Sequence, residues 1–277
     1  MLQTNSKSPN KTFIGNIPSL TPKTEVVAEQ QPQPAAAEVE IISDANDIKI
    51  SNSDFIGHIF SNLPKNTYAA VCSKSGDPTK NGWSAKRADL YSNQLASTYN
   101  NYLNTSSFQI MDDGLFNVRK DNFSSTHFLL LDDFGTKIAF ERLNDFKPSW
   151  LLETSPGNFQ AGIIFKEPIT DAAVVSQLQK AIIAAGLCDP GTNGPTNRWA
   201  RLPEGINGKV KYTDQENRAF QCKLASFDPQ MRYTVEEIVN GLKLTLSSMQ
   251  MSKKEVSSKE PAYSSEGCHP VHVKAAT

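Results

Sequence analysis

An α+β (mixed α/β) fold is what this sequence predicts, and three observations carry it. Apolar runs of strand length are joined by short turns containing Gly, Pro and Asn, as in antiparallel hairpins. Two further segments space their apolar residues as helices do, one closed by a glycine and one opened by a capping box. No internal repeat runs through the chain, and strands and helices alternate along it.

In chain order, Ser53 is placed to cap a short helix with Phe55, Ile56, Ile59 and Phe60 on one face. Residues 67–73 read as a strand. Residues 128–133 (FLLLDD) read as a buried strand ending in two acids, Gly135 as a turn, and 136–140 as the returning strand. Residues 149–154 and 159–165 form a second hairpin around Ser155, Pro156, Gly157 and Asn158. Thr170 caps a helix on which Val174, Val175, Leu178, Ala181, Ile182 and Ala185 recur, closed by Gly186. A strand follows at 219–224, and Thr234-Val235-Glu236-Glu237 opens a last helix reaching about Leu246.

Both ends read differently. Residues 1–45 are poor in core formers and carry a Gln/Pro/Ala stretch, too little apolar surface to offset the entropy of ordering it. The expected organisation is a disordered leader (1–45), a main folded domain (46–230), a C-terminal helix (231–251) and a flexible tail (252–277) rich in Ser and Lys. Cys268, His269 and His272 lie in that tail and read as incidental rather than as a metal site.

At 277 residues with a net charge of −1, nothing global announces nucleic acid or membrane, so any electrostatic footprint is local. No apolar run approaches the roughly 18 residues of a membrane span, and Lys7 and Lys11 precede no signal-like apolar stretch. Cys72, Cys188, Cys222 and Cys268 are scattered without a C-x-x-C pair, so they read as reduced thiols in a cytoplasm.

Three constellations carry chemistry. The first is Leu129-Leu130-Leu131-Asp132-Asp133-Phe134-Gly135. Adjacent carboxylates after three leucines are costly in a core unless paired or bound to cations. Successive strand residues face opposite sides, so both acids reach one metal only if the strand ends or kinks there; a solvated Asp-Asp turn fits the same residues. The second is the turn from Glu153 to Gln160, whose Ser155, Asn158 and Gln160 gather short polar groups around Pro and Gly. Such a turn can cradle a phosphate or simply close a hairpin. The third is Asp189 followed by the segment from Arg198 to Lys209. Between Pro195 and Lys223 six cationic residues stand against three acidic ones, a local net of +3. Arg forks and Lys charges hold triphosphates and nucleic-acid backbones, although a solvated basic loop is also consistent. The Gly205-x-x-Gly208-Lys209 piece is no P-loop, since Pro203 stands where the first Gly belongs and Val210 where Ser or Thr belongs.

Together these segments (LLLDDFGTK, then ETSPGNFQAG, then D-x(8)-R-x-x-RLPEGINGK) resemble the primase-polymerase domain of the archaeo-eukaryotic primase superfamily, in its plasmid and phage RepB-like branch. The resemblance spans about residues 67 to 224. It implies a catalytic sheet like that of an RNA-recognition motif, packed against an N-terminal α/β module, with 46–230 as the catalytic domain. By the same resemblance, Asp132 and Asp133 are the first acidic motif, and Asp189, 57 residues beyond Asp132, is the third carboxylate; all three would bind Mg²⁺ or Mn²⁺. Ser155 and Gln160 fall at the phosphate-binding motif, and Arg201, Asn207 and Lys209 at the basic motif that contacts triphosphate or template. Lys137, beside the acids, is the reserve triphosphate clamp. Two departures stand out: Gln160 replaces the His common at its position, and the acids are adjacent where many relatives have Asp-x-Asp.

The expected function is therefore template-dependent, two-metal nucleotidyl transfer, a DNA primase and polymerase making primers on single-stranded DNA from NTP or dNTP in plasmid or phage replication. No helicase motif is present, so unwinding would come from a helicase in trans or in a further C-terminal region. Two rivals remain: a catalytically silent replication initiator of the same fold that only binds DNA, and a two-metal nuclease. A nuclease needs the acids but no triphosphate clamp, so the Arg201 and Lys209 loop favours synthesis over cleavage.

Overall fold

The computed structural model describes residues 48–246, apart from 81, 112 and 191–193. The leader and tail expectations, with Cys268, His269 and His272, lie outside the described residues. In order, the elements are α1 (Asn52–Ile59), β1 (Thr67–Lys74), β2 (Lys86–Arg87), α2 (Ala88–Tyr91), β3 (Asn100–Gln109), β4 (Phe123–Phe134), β5 (Trp150–Ser155), β6 (Asn158–Ile169), α3 (Ala172–Ala184), β7 (Trp199–Arg201), β8 (Ile206–Asn207), β9 (Phe220–Gln221), β10 (Lys223–Phe227), β11 (Arg232–Tyr233) and α4 (Val235–Gly241). Among the described residues, nine strands make one sheet in the order β10-β5-β6-β4-β3-β1-β2, with β11 added beside β6 and β7 beside β3. All pairings are antiparallel except β11 with β6. The mixed α+β class is as the sequence implied, and the N-terminal strands join the central ones in one sheet through β3. No helix among the described residues is long and apolar enough to cross a membrane.

Alternation along the central strands builds a core on each face. Phe128 and Leu130 of β4, Trp150 and Leu152 of β5 and Ile164 of β6 pack with Phe55, Ile56 and Ile59 of α1. Leu129 and Leu131 of β4, with Ala161, Ile163 and Phe165 of β6, pack instead with Leu178, Ala181 and Ile182 of α3 and Ile238 of α4. Trp150 lies so close over Gly162 that a Cβ there would stand 1.9 Å from its indole. Small size is required at that point.

Several boundaries differ from expectation, each for a local reason. Ser51, not Ser53, caps α1, because its hydroxyl accepts from Asp54 N. Asp171, not Thr170, caps α3 by accepting from Ala173 N. Gly186 (φ +70°) ends α3 as foreseen, with Leu187 N donating to Ile182 O and Gly186 N to Ile183 O, a Schellman closure. Residues 136–140 do not return as a strand. Asp133 (φ 66°) and Gly135 (φ 83°) are both left-handed, and the N–H groups of Thr136, Lys137 and Ile138 curl back onto Asp133 O. The partner of β4 is β6 instead. The strand expected at 219–224 is split into β9 and β10 around the buried Cys222. The capping box of α4 forms as read, but the helix ends at Gly241 rather than extending to Leu246 or 251, with Lys243 left-handed just beyond.

The largest departure is β3. Its sequence, NNYLNTSSFQ, reads as polar, yet every residue but the last is buried. Leu103 and Phe108 fill the core, but the buried polar side chains of β3 serve chiefly as hydrogen-bonding partners. Asn100 donates to Lys74 O and Gly76 O and accepts from Gly208 N. Asn101 donates to Ala96 O and Glu204 O, and Asn104 to Thr196 O. Ser106 meets Thr126, and Ser107 meets Ser125 and His127. Buried polar groups are tolerated when paired, and these pin the loops around the sheet. His127, enclosed among them and against Phe60, is pushed down to about 3, chiefly by burial, and stays neutral.

Candidate functional site

All ten residues singled out from the sequence line one cavity of about 1460 Å³: Asp132, Asp133, Lys137, Ser155, Asn158, Gln160, Asp189, Arg201, Asn207 and Lys209. Period two explains how the central strands reach it. Asp132 continues the Phe128–Leu130 series of β4, Gln160 the Ile164–Gly162 series of β6, and Thr154 the Trp150–Leu152 series of β5. One face of the sheet is thus apolar under α1 and polar at its other end.

Asp133 is where β4 kinks. Its left-handed backbone coincides with a shift in the β4–β6 register between Leu131 and Phe134, and this lets two adjacent acids line the same cavity. Asp189 arrives by another route: Asp132 N donates to Leu187 O (3.2 Å), tying the exit of α3 to the end of β4 two residues before Asp189. The Lys137 ammonium then stands between the acids, 2.7 Å from Asp133 and 3.2 Å from Asp189. Both carboxylates raise the affinity of Lys137 for its proton, Asp133 the more strongly. Asp132 sits deeper. Burial and the neighbouring Asp133 charge push its carboxyl up to about 6, against the opposing pull of Asp133 N and Gln160 Nε2, which donate to it at 2.9 and 3.3 Å.

Among the described residues, no group of three or more His, Cys, Asp or Glu side chains is arranged to hold a metal as it stands. The donor chemistry nevertheless suits a hard divalent ion. The oxygens are carboxylate oxygens, and Asp133 and Asp189 already converge on one cation, the ammonium of Lys137. The cysteines near the sheet, Cys72, Cys188 and Cys222, are buried free thiols.

The hairpin turn after β5 is more self-contained than its sequence suggested. Gly157 N donates to the Glu153 carboxylate (2.9 Å), Thr136 Oγ1 donates to Asn158 Oδ1, and Asn158 Nδ2 donates to Thr154 Oγ1 (3.3 Å). Ser155 is buried. Gly135 packs against this turn so closely that a Cβ on it would stand 2.3 Å from Gly157 O. The turn and the acidic corner are thereby one rigid unit.

Two guanidiniums are buried at the other wall. Arg201 donates to Ile206 O (2.7 Å), Asn207 Oδ1 (2.9 Å) and Asn100 Oδ1 (3.3 Å), while its backbone N–H donates to Gln160 Oε1 (2.9 Å). Asn207 in turn donates to Thr154 O (2.7 Å). Arg198 reaches Cys188 Sγ and Asp189 O, and its Nε is buried without a partner. Neither guanidinium makes an ion pair among the described residues. A buried charge held only by neutral groups keeps its attraction for an anion. Arg198 was visible in the sequence only as one charge of a basic loop; its place beside Asp189 was not. Lys74, Trp83, Tyr102, Trp199, Lys211 and Tyr212 also line the cavity, and sequence reasoning missed them as site residues.

The family profile of the RepB DNA-primase N-terminal domain matches residues 74–275. The chain belongs to that family. This is a RepB-like DNA-primase domain, as the order of acids, polar turn and basic loop implied. No curated protein matches the sequence. Three solved structures are similar at a TM-score of 0.46. The AEP domain of the cyanophage S-2L primase-polymerase is 15% identical, over 69% of this chain and 96% of its own. The primase RepB′ is 14% identical, over 69% of this chain and 61% of its own. The catalytic domain of RepB′, in complex with initiator DNA, is 14% identical, over 70% of this chain and 93% of its own. In this RepB-type domain the motif residues come from β4 and the turn after it, the β5–β6 hairpin, the exit of α3, β7, β8 and the loop after β8, and they meet in a single cavity.

Proposed function

We propose that this RepB-type primase domain makes primers on single-stranded DNA by template-directed nucleotidyl transfer from NTP or dNTP, in plasmid or phage replication. The observation that supports the reading best is one cavity lined both by Asp132, Asp133 and Asp189 and by two buried guanidiniums without counter-ions. Such a cavity has use for both cations and a polyanion.

Asp132, Asp133 and Asp189 are the residues that would hold Mg²⁺ or Mn²⁺, Lys137 giving up its place between two of them. When bound, such ions supply neutralisation of the transferring phosphoryl group and activation of the attacking hydroxyl. Gln160 links the two halves of the site. Its amide donates to Asp132 and accepts from Arg201 N, so the acid and the basic strand keep a fixed separation. Arg198 and Arg201 offer charge held in place before any ligand arrives, and Lys209 adds a more exposed charge on the loop that follows. This is binding and orientation, with no covalent step on the protein. Unwinding falls to a helicase acting in trans or lying beyond this domain.

Primer synthesis on single-stranded DNA with labelled NTPs or dNTPs and Mg²⁺ or Mn²⁺ tests the reading. Wild type incorporates label, and Asp132→Ala and Asp189→Ala lose incorporation while remaining folded. Full activity in either variant would remove the site assignment. A second reading, a catalytically silent initiator that only binds DNA, draws on the Lys137 bridge and on the lack, among the described residues, of a ready-made metal cage. Under that reading wild type binds single strands and incorporates nothing.

A further inference from the structure

Trp83 is 54% exposed, an unusual state for so large an apolar side chain. It lies against Trp199 with ring centroids 5.3 Å apart and planes inclined by 27°, and Tyr102 meets it edge-on at 4.9 Å. All three line the cavity that holds the acids. Cations accompany them: Lys74 Nζ stands 4.6 Å from the Trp83 ring centre, and the Arg201 guanidinium lies 4.9 Å from that of Tyr102. Trp199 and Tyr102 are fixed by strand pairing, since Trp199 pairs with Asn104 and Arg201 with Tyr102. Trp83 lies instead in the irregular stretch before β2.

Packing alone does not explain this group. Tyr102 is buried, but neither apolar cluster of the core takes in Trp83, Trp199 or Tyr102, and an aromatic stack open to a cation-lined cavity is the arrangement that receives flat π-systems. We propose that Trp83 and Trp199 form a stacking platform for a nucleobase, two residues along β7 from the Arg201 guanidinium, so that base and phosphate are received by neighbouring positions of one strand. The ligand class follows from the proposed function on which this inference rests. The base comes from the single-stranded template or from the incoming nucleotide.

Tryptophan emission of the full chain reads the platform directly, without added metal, because Trp83 and Trp199 face the cavity while Trp150, the remaining tryptophan, is buried. Two titrations are made, one with a short oligo(dT) and one with dNTP. Quenching by the oligomer identifies a template base, and quenching by dNTP identifies the incoming base. In the arm that quenches, Trp83→Leu and Trp199→Leu weaken binding roughly 5- to 50-fold, while Trp83→Phe recovers part of the loss. An abasic oligomer of equal length separates stacking from phosphate attraction: its affinity is the same for wild type and Trp83→Leu. The idea is overturned if neither ligand quenches, or if both leucine variants bind as tightly as wild type while only their melting temperatures change. Nucleotide incorporation by wild type, measured separately, tells the two readings apart. Incorporation without quenching removes the platform and keeps the primase, whereas quenching without incorporation does the reverse.

Discussion

Replacing Asp132 by Asn should stabilise the metal-free protein at neutral pH, and the size of the effect follows from the site. The carboxyl is raised from its ordinary 3.8 to about 6, first by burial and then by the Asp133 charge. At about 1.4 kcal/mol for each tenfold change in proton affinity, that rise corresponds to about 3 kcal/mol. Solvent in the open cavity reduces the figure to about 1–2 kcal/mol. The sign is fixed by linkage. A carboxyl whose folded value lies above its unfolded one contributes stability fully present below about 4 and lost as pH rises through about 6. In chelator, wild type therefore loses stability relative to Asp132→Asn between pH 4 and 7.5. At pH 7.5 the variant melts higher by about 2–4 °C for each kcal/mol gained, less the cost of the weakened Gln160 contact. Denaturation at a series of pH values measures it, and Mn²⁺ should reverse the order by stabilising wild type alone. A difference that is independent of pH, or a variant less stable throughout, would refute the reasoning.

Three further outcomes are expected. Lys137→Ala removes the ammonium between Asp133 and Asp189 and should tighten Mn²⁺ binding a fewfold in calorimetry without nucleotide; weaker binding would show that Lys137 does not compete for that place. Arg201→Ala leaves Asn207 Oδ1 and Ile206 O short of a donor and should destabilise by about 2–4 kcal/mol in urea, besides weakening nucleotide affinity. Arg201→Lys should recover only part of either loss, since an ammonium cannot serve both acceptors in fork geometry. Gly135→Ala sets a Cβ on a left-handed residue and 2.3 Å from Gly157 O; a loss of at least about 2 kcal/mol by thermal melting is expected, and an unchanged melt would mean that the two turns separate freely.

How legible the molecule was depends on how local each signal is. The β5–β6 hairpin, the Gly186 closure and the Thr234 capping box are set by residues within a few positions of each other, and they stand where the sequence placed them. β3 was illegible because its burial depends on partners roughly 20 to 108 residues away that satisfy its amides and hydroxyls. The return strand after Gly135 failed because Asp133 adopts a left-handed backbone, a choice no side-chain pattern announces. For the site, motif order was enough to name residues that share a cavity. It did not show that Glu153 already occupies Gly157 N, that Arg201 spends several of its donors inside the protein, or that Arg198 adjoins Asp189. Trp83 and Trp199 come together across 116 positions of sequence, without a motif to signal it.

The polar strand β3 also governs the order in which the molecule is built. Its amides find Glu204, Thr196 and Gly208 across separations of 92 to 108 residues, so a chain emerging from the ribosome carries a strand that cannot be completed for most of the domain's length. Until that later segment arrives, burying β3 would strand hydrogen-bonding groups, and leaving it open exposes an unpaired edge. Loop closure over such distances is slow. The basic wall of the cavity is therefore among the last parts to take shape. A chain stopped before residue 195 should accumulate as an aggregation-prone intermediate, without the stability of a smaller independent domain.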